Sequence, residues 1–513
     1  MNTDKNRTHT IASPLDVLRS VFGYPAFRHN QEAIIQQLLQ GKDAVVLMPT
    51  GGGKSLCYQI PALCLPGVTI VVSPLIALMK DQVDALLVSG VKAAFLNSSQ
   101  SGAEQSQILR QLRQNELKLL YVAPERLVGG DINLLHFLQD YPVSLFAIDE
   151  AHCISQWGHD FRTEYRVLNQ LKQRFPDVPL IALTATADAI TRDDIIQQLA
   201  LRQYTVFENS FNRPNISYQV IPKKGYYDTL VRYLKTHQED SGIIYCLSRN
   251  ATEKLAEDLQ ADGFSASAYH AGLDKATRDE RQELFLKDDI RIMVATIAFG
   301  MGINKSNVRF VVHADLPKNI EGYYQETGRA GRDGLPSEAL LFYGAGDVIK
   351  LKGFAQVENN PEQTALLLKK LDQMVQFCET RHCRRKFLLG YFGEKAPDYC
   401  GNCDTCLTQP DLKDNTIVAQ KLLSAVYRIQ QSYGLGYIID VLRGSQSEKI
   451  RENHRSLSVY GIGKDLSKDE WFHYGKELIQ YGYLQKSDAA FPVVSLTEKS
   501  KEVLFQKAKV FLA

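Results

Sequence analysis

Ala44-Val-Val-Leu47 followed by Met48-Pro-Thr-Gly-Gly-Gly-Lys-Ser55 reads as a strand running into a glycine loop, and Leu56-Cys-Tyr-Gln-Ile60 reads as the first turns of a helix. Strand, glycine loop and helix in that order make a phosphate cradle. Consecutive glycines let the backbone wrap an anion with several N–H groups pointing inward, and the helix N-terminus adds partial positive charge. Thr50, Gly51, Gly52 and Gly53 supply the wrap, Lys54 reaches the β and γ phosphates, and Ser55 offers its hydroxyl to Mg²⁺. The strict pattern G-x-x-x-x-G-K-[ST] wants glycine where Met48 stands, so the stretch alone also fits a glycine-rich turn ahead of a helix.

What lies downstream favours the cradle. Apolar runs of strand length at Val68–Val72, Leu117–Val122, Ser144–Ile148 and Leu180–Leu183 alternate with helical patterns. That alternation predicts a parallel sheet covered by helices, with ligands bound beyond the carboxyl ends of the strands. At one such end stands Asp149-Glu-Ala-His152, where Asp149 is placed to hold Mg²⁺ and Glu150 to orient and deprotonate an attacking water. Upstream, Phe22-Gly-Tyr-Pro-Ala-Phe-Arg-His-Asn-Gln31 offers an aromatic, an arginine and a glutamine: an adenine subsite or a plain helix cap. Cys153 to Tyr165 carries Trp157, Phe161 and Arg162, which suit base stacking in a single strand or a hydrophobic cluster under a loop.

From about Phe207 the pattern restarts, with strands expected at Gly242–Cys246, Ile290–Ala295 and Val308–Val312 but no second glycine loop. One half would hold the nucleotide and the other close on it. The closing groups come from Tyr323-Tyr-Gln-Glu-Thr-Gly-Arg-Ala-Gly-Arg332, where Arg329 and Arg332 share a face if helical. A guanidinium against the γ-phosphate stabilises the transition state by about 10³ to 10⁵ in rate.

At 513 residues the chain predicts two to four domains. With 59 Lys and Arg against 58 Asp and Glu, a nucleic-acid partner would need a local basic surface. Met1 to Thr10 lacks the apolar core of a signal peptide and no apolar run spans a membrane, so an intracellular (cytoplasmic or nucleoid) location without a membrane partner is expected. Four of the nine cysteines, Cys383, Cys400, Cys403 and Cys406, crowd into one segment with C-x-x-C arms, which selects tetrahedral Zn²⁺ over a redox pair; Cys378 and His382 are rival ligands. Beyond Pro410, helices expected at Thr416–Gln430, Gly436–Leu442 and Glu470–Tyr481 precede two strands within Leu484–Leu496: a winged-helix pattern. Arg443, Lys449, Arg451 and Arg455 would meet duplex phosphates, and Phe491 near the hairpin tip would wedge strands apart, unless the domain merely packs.

In order and spacing, these motifs, together with Ser73-Pro-Leu-Ile-Ala-Leu-Met-Lys-Asp-Gln82, Thr184-Ala-Thr186 and Gly300-Met-Gly302, resemble those of superfamily 2 helicases and more narrowly the RecQ family of DNA helicases. The resemblance implies an α/β fold of two tandem RecA-like parallel-sheet domains (1–206 and 207–341), a zinc-binding module (342–407) and a winged-helix domain (408–513). It assigns Tyr24, Arg28 and Gln31 to adenine, Lys54 and Ser55 to phosphates and Mg²⁺, Asp149 and Glu150 to catalysis, and Gln325, Arg329 and Arg332 to the γ-phosphate. It also favours Cys383 as the fourth zinc ligand. Where many relatives carry an aspartate and a proline, this chain has Asn304 and Ser306. The implied activity is ATP-dependent 3′–5′ unwinding of duplex or branched DNA in recombination and repair, by a monomer with a single-strand-binding protein as candidate partner. An RNA helicase and an ATP-gated annealing protein are the alternatives.

Overall fold

The computed structural model describes residues 13–512 apart from 50, 99, 130–132, 157–159, 298, 300–302, 304, 358–359, 409–411, 488–492 and 507. The chain divides into two compact units: Met1–Glu358 with Leu366–Val375 and Phe387–Ala396, and Asn359–Ala365 with Gln376–Lys386 and Pro397–Ala513.

The first unit contains two parallel sheets. Strands β1 (Ala44–Leu47), β2 (Val68–Val72), β3 (Ala93–Leu96), β4 (Leu119–Val122), β5 (Val143–Ile148), β6 (Leu180–Thr184) and β7 (Thr205–Glu208) lie in the order β3-β4-β2-β5-β6-β1-β7. Every residue of β1, β2, β4 and β6 is buried. Val45 and Leu47 enter one apolar layer, Ala44 and Val46 the other. Burial on both faces is why these strands are continuous apolar runs rather than alternating ones. The order sets β1, β6 and β5 side by side, so the loops after their carboxyl ends share one cleft.

The second sheet has the order β10-β11-β9-β12-β13-β8, built from β8 (Ile216–Pro222), β9 (Ser241–Tyr245), β10 (Ala266–Tyr269), β11 (Ile292–Ala295), β12 (Val308–His313) and β13 (Ser337–Tyr343). Strands β3, β7, β8, β10 and β13 escape the sequence reading. Edge strand β7 is half exposed and flanked by polar residues, and β10 is small residues, so neither shows a long apolar run. The expected boundary at 206/207 consequently falls inside β7 and that at 341/342 inside β13.

In the second unit, helices Thr416–Arg428, Leu435–Leu442 and Lys468–Gln480 pack with antiparallel strands β15 (Leu484–Lys486) and β16 (Val494–Leu496), while β14 (Lys413–Asp414) pairs with β17 (Phe511–Leu512). Trp471 is fully buried in this core and donates its indole N–H to the Gly463 carbonyl (2.7 Å). Among the described residues no helix is long and apolar enough to cross a membrane.

Gly242 begins the buried centre of β9, and a Cβ placed there would lie 1.9 Å from the Phe310 ring on β12. Gly242→Ala is therefore expected to lower stability by about 1–3 kcal/mol, read as a lower urea midpoint. An unchanged midpoint would mean that the two strands pack less closely than described.

Candidate functional site

The glycine loop is held from both sides. Gly51 and Gly53 have φ of +85° and +81°, values that side chains avoid. Met48, the residue that breaks the expected motif, is fully buried; its Cγ lies 2.6 Å from where a Cβ at Gly52 would stand. Methionine fills the floor of the loop, and Gly52 makes room for it.

Buried Gln31 donates its amide to the Gly53 carbonyl (3.1 Å) and accepts from the Arg28 N–H (2.9 Å). Both ends of that amide are thus used to tie the upstream segment to the loop. Tyr24, 45% exposed, carries the Arg28 guanidinium over its ring at 5.9 Å. Of the three expected adenine residues, Tyr24 alone lines the main cavity; Arg28 and Gln31 stand behind it.

Asp149 and Glu150 follow β5 directly. Burial first, and then the Glu150 charge, push the Asp149 carboxyl up to about 6, against the pull of Lys54. Glu150 has a left-handed backbone (φ 48°), an uncommon conformation for a side-chain-bearing residue that aims its carboxylate away from the strand direction. Its Oε2 has no hydrogen-bond partner and lies 3.4 Å from His152 Nδ1, which is itself 2.9 Å from Thr184 Oγ1. Thr184 closes a turn onto Thr186, and Tyr165 donates its hydroxyl to the Asp149 carbonyl (2.9 Å). The carboxylates are therefore wired to the end of β6 and to the aromatic loop.

Opposite them, a cavity of about 460 Å³ is completed by the second sheet's loops. Its lining includes Gly51, Gly53, Lys54, Ser55, Asp149 and Glu150 from the first half, and Ile303, Gln325, Arg329 and Arg332 from the second. Gln325 lies on helix Ile320–Thr327; Arg329 and Arg332 follow its end, with buried Arg329 near the Tyr245 hydroxyl. Arg332 donates to the Ile303 carbonyl (2.6 Å), while its Nε has no partner. Burial, Arg329 and Arg213 lower the Arg332 guanidinium to about 9, so it stays cationic at neutral pH.

Sequence reasoning missed Arg213. Its guanidinium donates to the carbonyls of Gly328 (3.0 Å), Ala330 (2.9 Å) and Gly331 (3.1 Å), bracing the arginine-bearing loop. Gln59 was missed too; it bridges Gln82 and Tyr121, joining the helix after the glycine loop to the Ser73–Gln82 segment. Neither lies in a local chemical motif, so spacing gave no signal for them.

The carboxylate pair suits a cation: Asp149 is partly buried beside a second acid and faces Ser55 across the same cavity, so these two residues would hold Mg²⁺. For zinc the fit is direct. The sulfurs of Cys383, Cys400, Cys403 and Cys406 all lie within 4.8 Å of one another, as a tetrahedral Cys₄ site requires. Backbone N–H groups of Lys386, Asn402 and Cys400 point at Cys383, Cys400 and Cys406 sulfurs, each at 3.4 Å, and support thiolates. His382 instead contacts the Gln480 carbonyl at 2.9 Å, and Cys378 stands outside the four-sulfur group.

The expected DNA residues divide. A second cavity of about 300 Å³ shares Glu150, Gln325 and Arg329 with the first and is lined further by Arg162, Thr296 and Lys318. Arg162 is engaged by Asp160 (2.9 Å), and partly buried Phe161 lies under Arg166. Lys305 is buried against Asp288. Of the four basic residues expected to meet duplex phosphates, Lys449 and Arg451 are exposed, whereas Arg443 and Arg455 donate to the carbonyls of Leu466 and Ser447. Thr50, Trp157, Phe491, Gly300 to Gly302 and Asn304 lie outside the described residues.

Two parallel sheets in tandem, one carrying a phosphate loop and paired carboxylates and the other facing them with arginines, define a two-domain helicase-type nucleotide hydrolase. Family models match in the same order: DEAD/DEAH box helicase over residues 28–195, helicase conserved C-terminal domain over 225–334, RecQ zinc-binding over 345–407 and RQC domain over 409–513. The chain belongs to the RecQ family of helicases. It is 51% identical over 501 residues to the ATP-dependent DNA helicase RecQ of Pasteurella multocida (strain Pm70), covering 97% of this chain and 79% of that protein. The corresponding protein of Bacillus subtilis (strain 168) is 43% identical, with 95% and 83% covered. In fold, the DEAD-box helicase Mss116 bound to ssRNA and UDP-BeF matches with a TM-score of 0.55 at 15% identity, over 75% of this chain and 90% of that one.

The four-sulfur site makes a checkable claim. Purified protein is expected to hold about one zinc per chain. Cys403→Ser should lose most of it and fold poorly, whereas Cys378→Ser should keep it. Equal zinc in both variants would contradict the ligand set.

Proposed function

We infer that this chain is an ATP-driven DNA helicase in which the two sheets close on a nucleotide and move along one strand. The observation that carries the reading is that Arg329 and Arg332, with Arg213 close behind them, line one cavity with Lys54, Asp149 and Glu150. Like charges held close together are costly, and a triphosphate relieves that cost.

In this reading the glycine loop and Lys54 hold the β and γ phosphates. Mg²⁺, held by Ser55 and Asp149, would neutralise phosphate charge. Glu150, with an oxygen that lacks a hydrogen-bond partner, orients and deprotonates the attacking water. Gln325 and Arg329 line both cavities, and with Arg332 they sense the γ-phosphate and stabilise the spreading charge. Tyr24 stacks on the base. The link from Glu150 through His152 to Thr184 carries the state of the carboxylates to the neighbouring strand end.

The cavity beside the aromatic loop is placed for single-stranded DNA, with Phe161, Arg162 and Trp157 contacting it and Phe491 acting at the duplex. We place the junction of the two motor domains at Asn209, after β7, and the end of the second after Tyr343. The cavity is closed by groups of one chain, which favours a monomer. Travel from 3′ to 5′, roles in recombination and repair, an intracellular location and a single-strand-binding protein that covers the displaced strand complete the proposal.

Lys54→Ala is expected to retain DNA binding while losing strand displacement, and single-stranded DNA should stimulate the wild-type ATPase more than RNA of equal length does. Displacement by the variant, or a preference for RNA, would overturn the reading.

A further inference from the structure

The connector between the two motor sheets is hydrogen-bonded to the first sheet through Asn209 and to the second half from Phe211 onward, with Glu394 holding Ser210 between them. Edge strand β7 pairs with β1 in the register Leu47 to Glu208, and the Asn209 N–H donates to the Leu47 carbonyl (2.9 Å). Asn209 is thereby fixed to the strand that leads into the glycine loop. At Ser210 the partners change. The Ser210 hydroxyl and the Phe211 N–H both donate to Glu394 (2.6 and 2.7 Å), and the Tyr324 hydroxyl donates to the Phe211 carbonyl (2.8 Å). Arg213 then braces the Gly328–Gly331 loop, and the Asn215 amide donates to the carbonyls of Gly331 (2.9 Å) and Leu335 (3.0 Å). The Phe211 ring does reach the apolar layer under the first sheet, but apolar contact is non-directional and lets a ring slide. Direct hydrogen bonds pass from the first half to the second over Asn209–Phe211.

A second observation ties that step to the nucleotide side. Asn30 occupies the cap position of helix Gln31–Leu39, where an asparagine side chain ordinarily accepts a backbone N–H of the first turn. Here it makes no such bond. Its amide instead donates to the Glu208 carbonyl (3.2 Å) and to Asn209 Oδ1 (3.0 Å), 179 residues away in the chain. The next residue is Gln31, which grips the glycine loop through Gly53. The Asn209 Nδ2 atom is buried without a hydrogen-bond partner.

We propose that Asn209 is a positioning residue for hydrolysis: the Asn30–Asn209 bond latches the pivot of the motor to the segment that clasps the glycine loop, and closure turns on the Asn209–Phe211 segment. The capping bond is forgone because the side chain serves the connector. Nucleotide contact at Phe22–Gln31 thus reaches the pivot through one hydrogen bond, and the pivot hands it through Arg213 to the loop bearing Arg329 and Arg332. Asn209 touches no substrate; it acts by setting where those arginines arrive.

The inference rests on the ATP-driven closure proposed above. Its test measures kcat and KM for ATP with and without saturating single-stranded DNA, alongside thermal unfolding, for Asn30→Ala, Asn209→Ala and the double variant. Each single variant is expected to lower DNA-stimulated kcat about five-fold, the scale of one hydrogen bond, with KM and the unfolding midpoint unchanged. The double variant should be no worse than either single one, because both remove the same bond. Asn209→Asp keeps the accepting oxygen and should restore most of the stimulated rate, while Asn30→Asp, which has nothing to donate, should behave like Asn30→Ala. Additive losses, unchanged stimulated kcat, or losses that track the unfolding midpoint would overturn the proposal. If the wild-type ATPase itself shows no dependence on DNA, the motor reading fails instead.

Discussion

Two sets of like charges face each other across one cavity, and neither is at ease alone. Asp149 and Glu150 crowd on one wall, where burial and mutual repulsion raise the Asp149 carboxyl to about 6. Arg329 and Arg332 stand on the other, and burial with the charges of Arg329 and nearby Arg213 lowers Arg332 to about 9. A protein that spends stability on such an arrangement has a use for it. In the proposed reading a metal-bound triphosphate brings positive charge to the acids and negative charge to the arginines, so its binding would relieve both walls and draw them together.

The scaffold supplies the two walls with unequal freedom. Buried parallel strands hold the glycine loop and the carboxylates at the ends of β1 and β5, on either side of β6, which leaves little room for relative movement. The arginines arrive on the second sheet, joined to the first by a connector whose hydrogen bonds change sides between Asn209 and Phe211. In the proposed reading hydrolysis and movement share the same parts, since the arginines would reach the transition state through that closure.

The buried strands with apolar runs, the glycine loop, the acids, the arginines and the four cysteines were legible in the sequence, because each is local: a run, a motif or a short spacing. Strands of small or polar residues, such as Ala266–Tyr269 and Thr205–Glu208, were not, since only their neighbours in the sheet make them strands. Met48 looked like a fault in the motif until its packing against Gly52 gave it a reason. Arg213, Gln59 and Asn30 carry no local signature at all; their partners lie between 23 and 179 residues away, a distance that spacing cannot read. Arg443 and Arg455 each also give one donor to a carbonyl, of Leu466 and Ser447, which charge alone did not foretell.

The central claim is that the second sheet's arginines complete a site whose nucleotide grip belongs to the first. Nucleotide affinity and DNA-stimulated hydrolysis measured on the same Arg332→Ala protein test it most directly. The account predicts a dissociation constant for ATP within about ten-fold of wild type and a kcat lowered by about 10³ or more. A kcat close to wild type would contradict it.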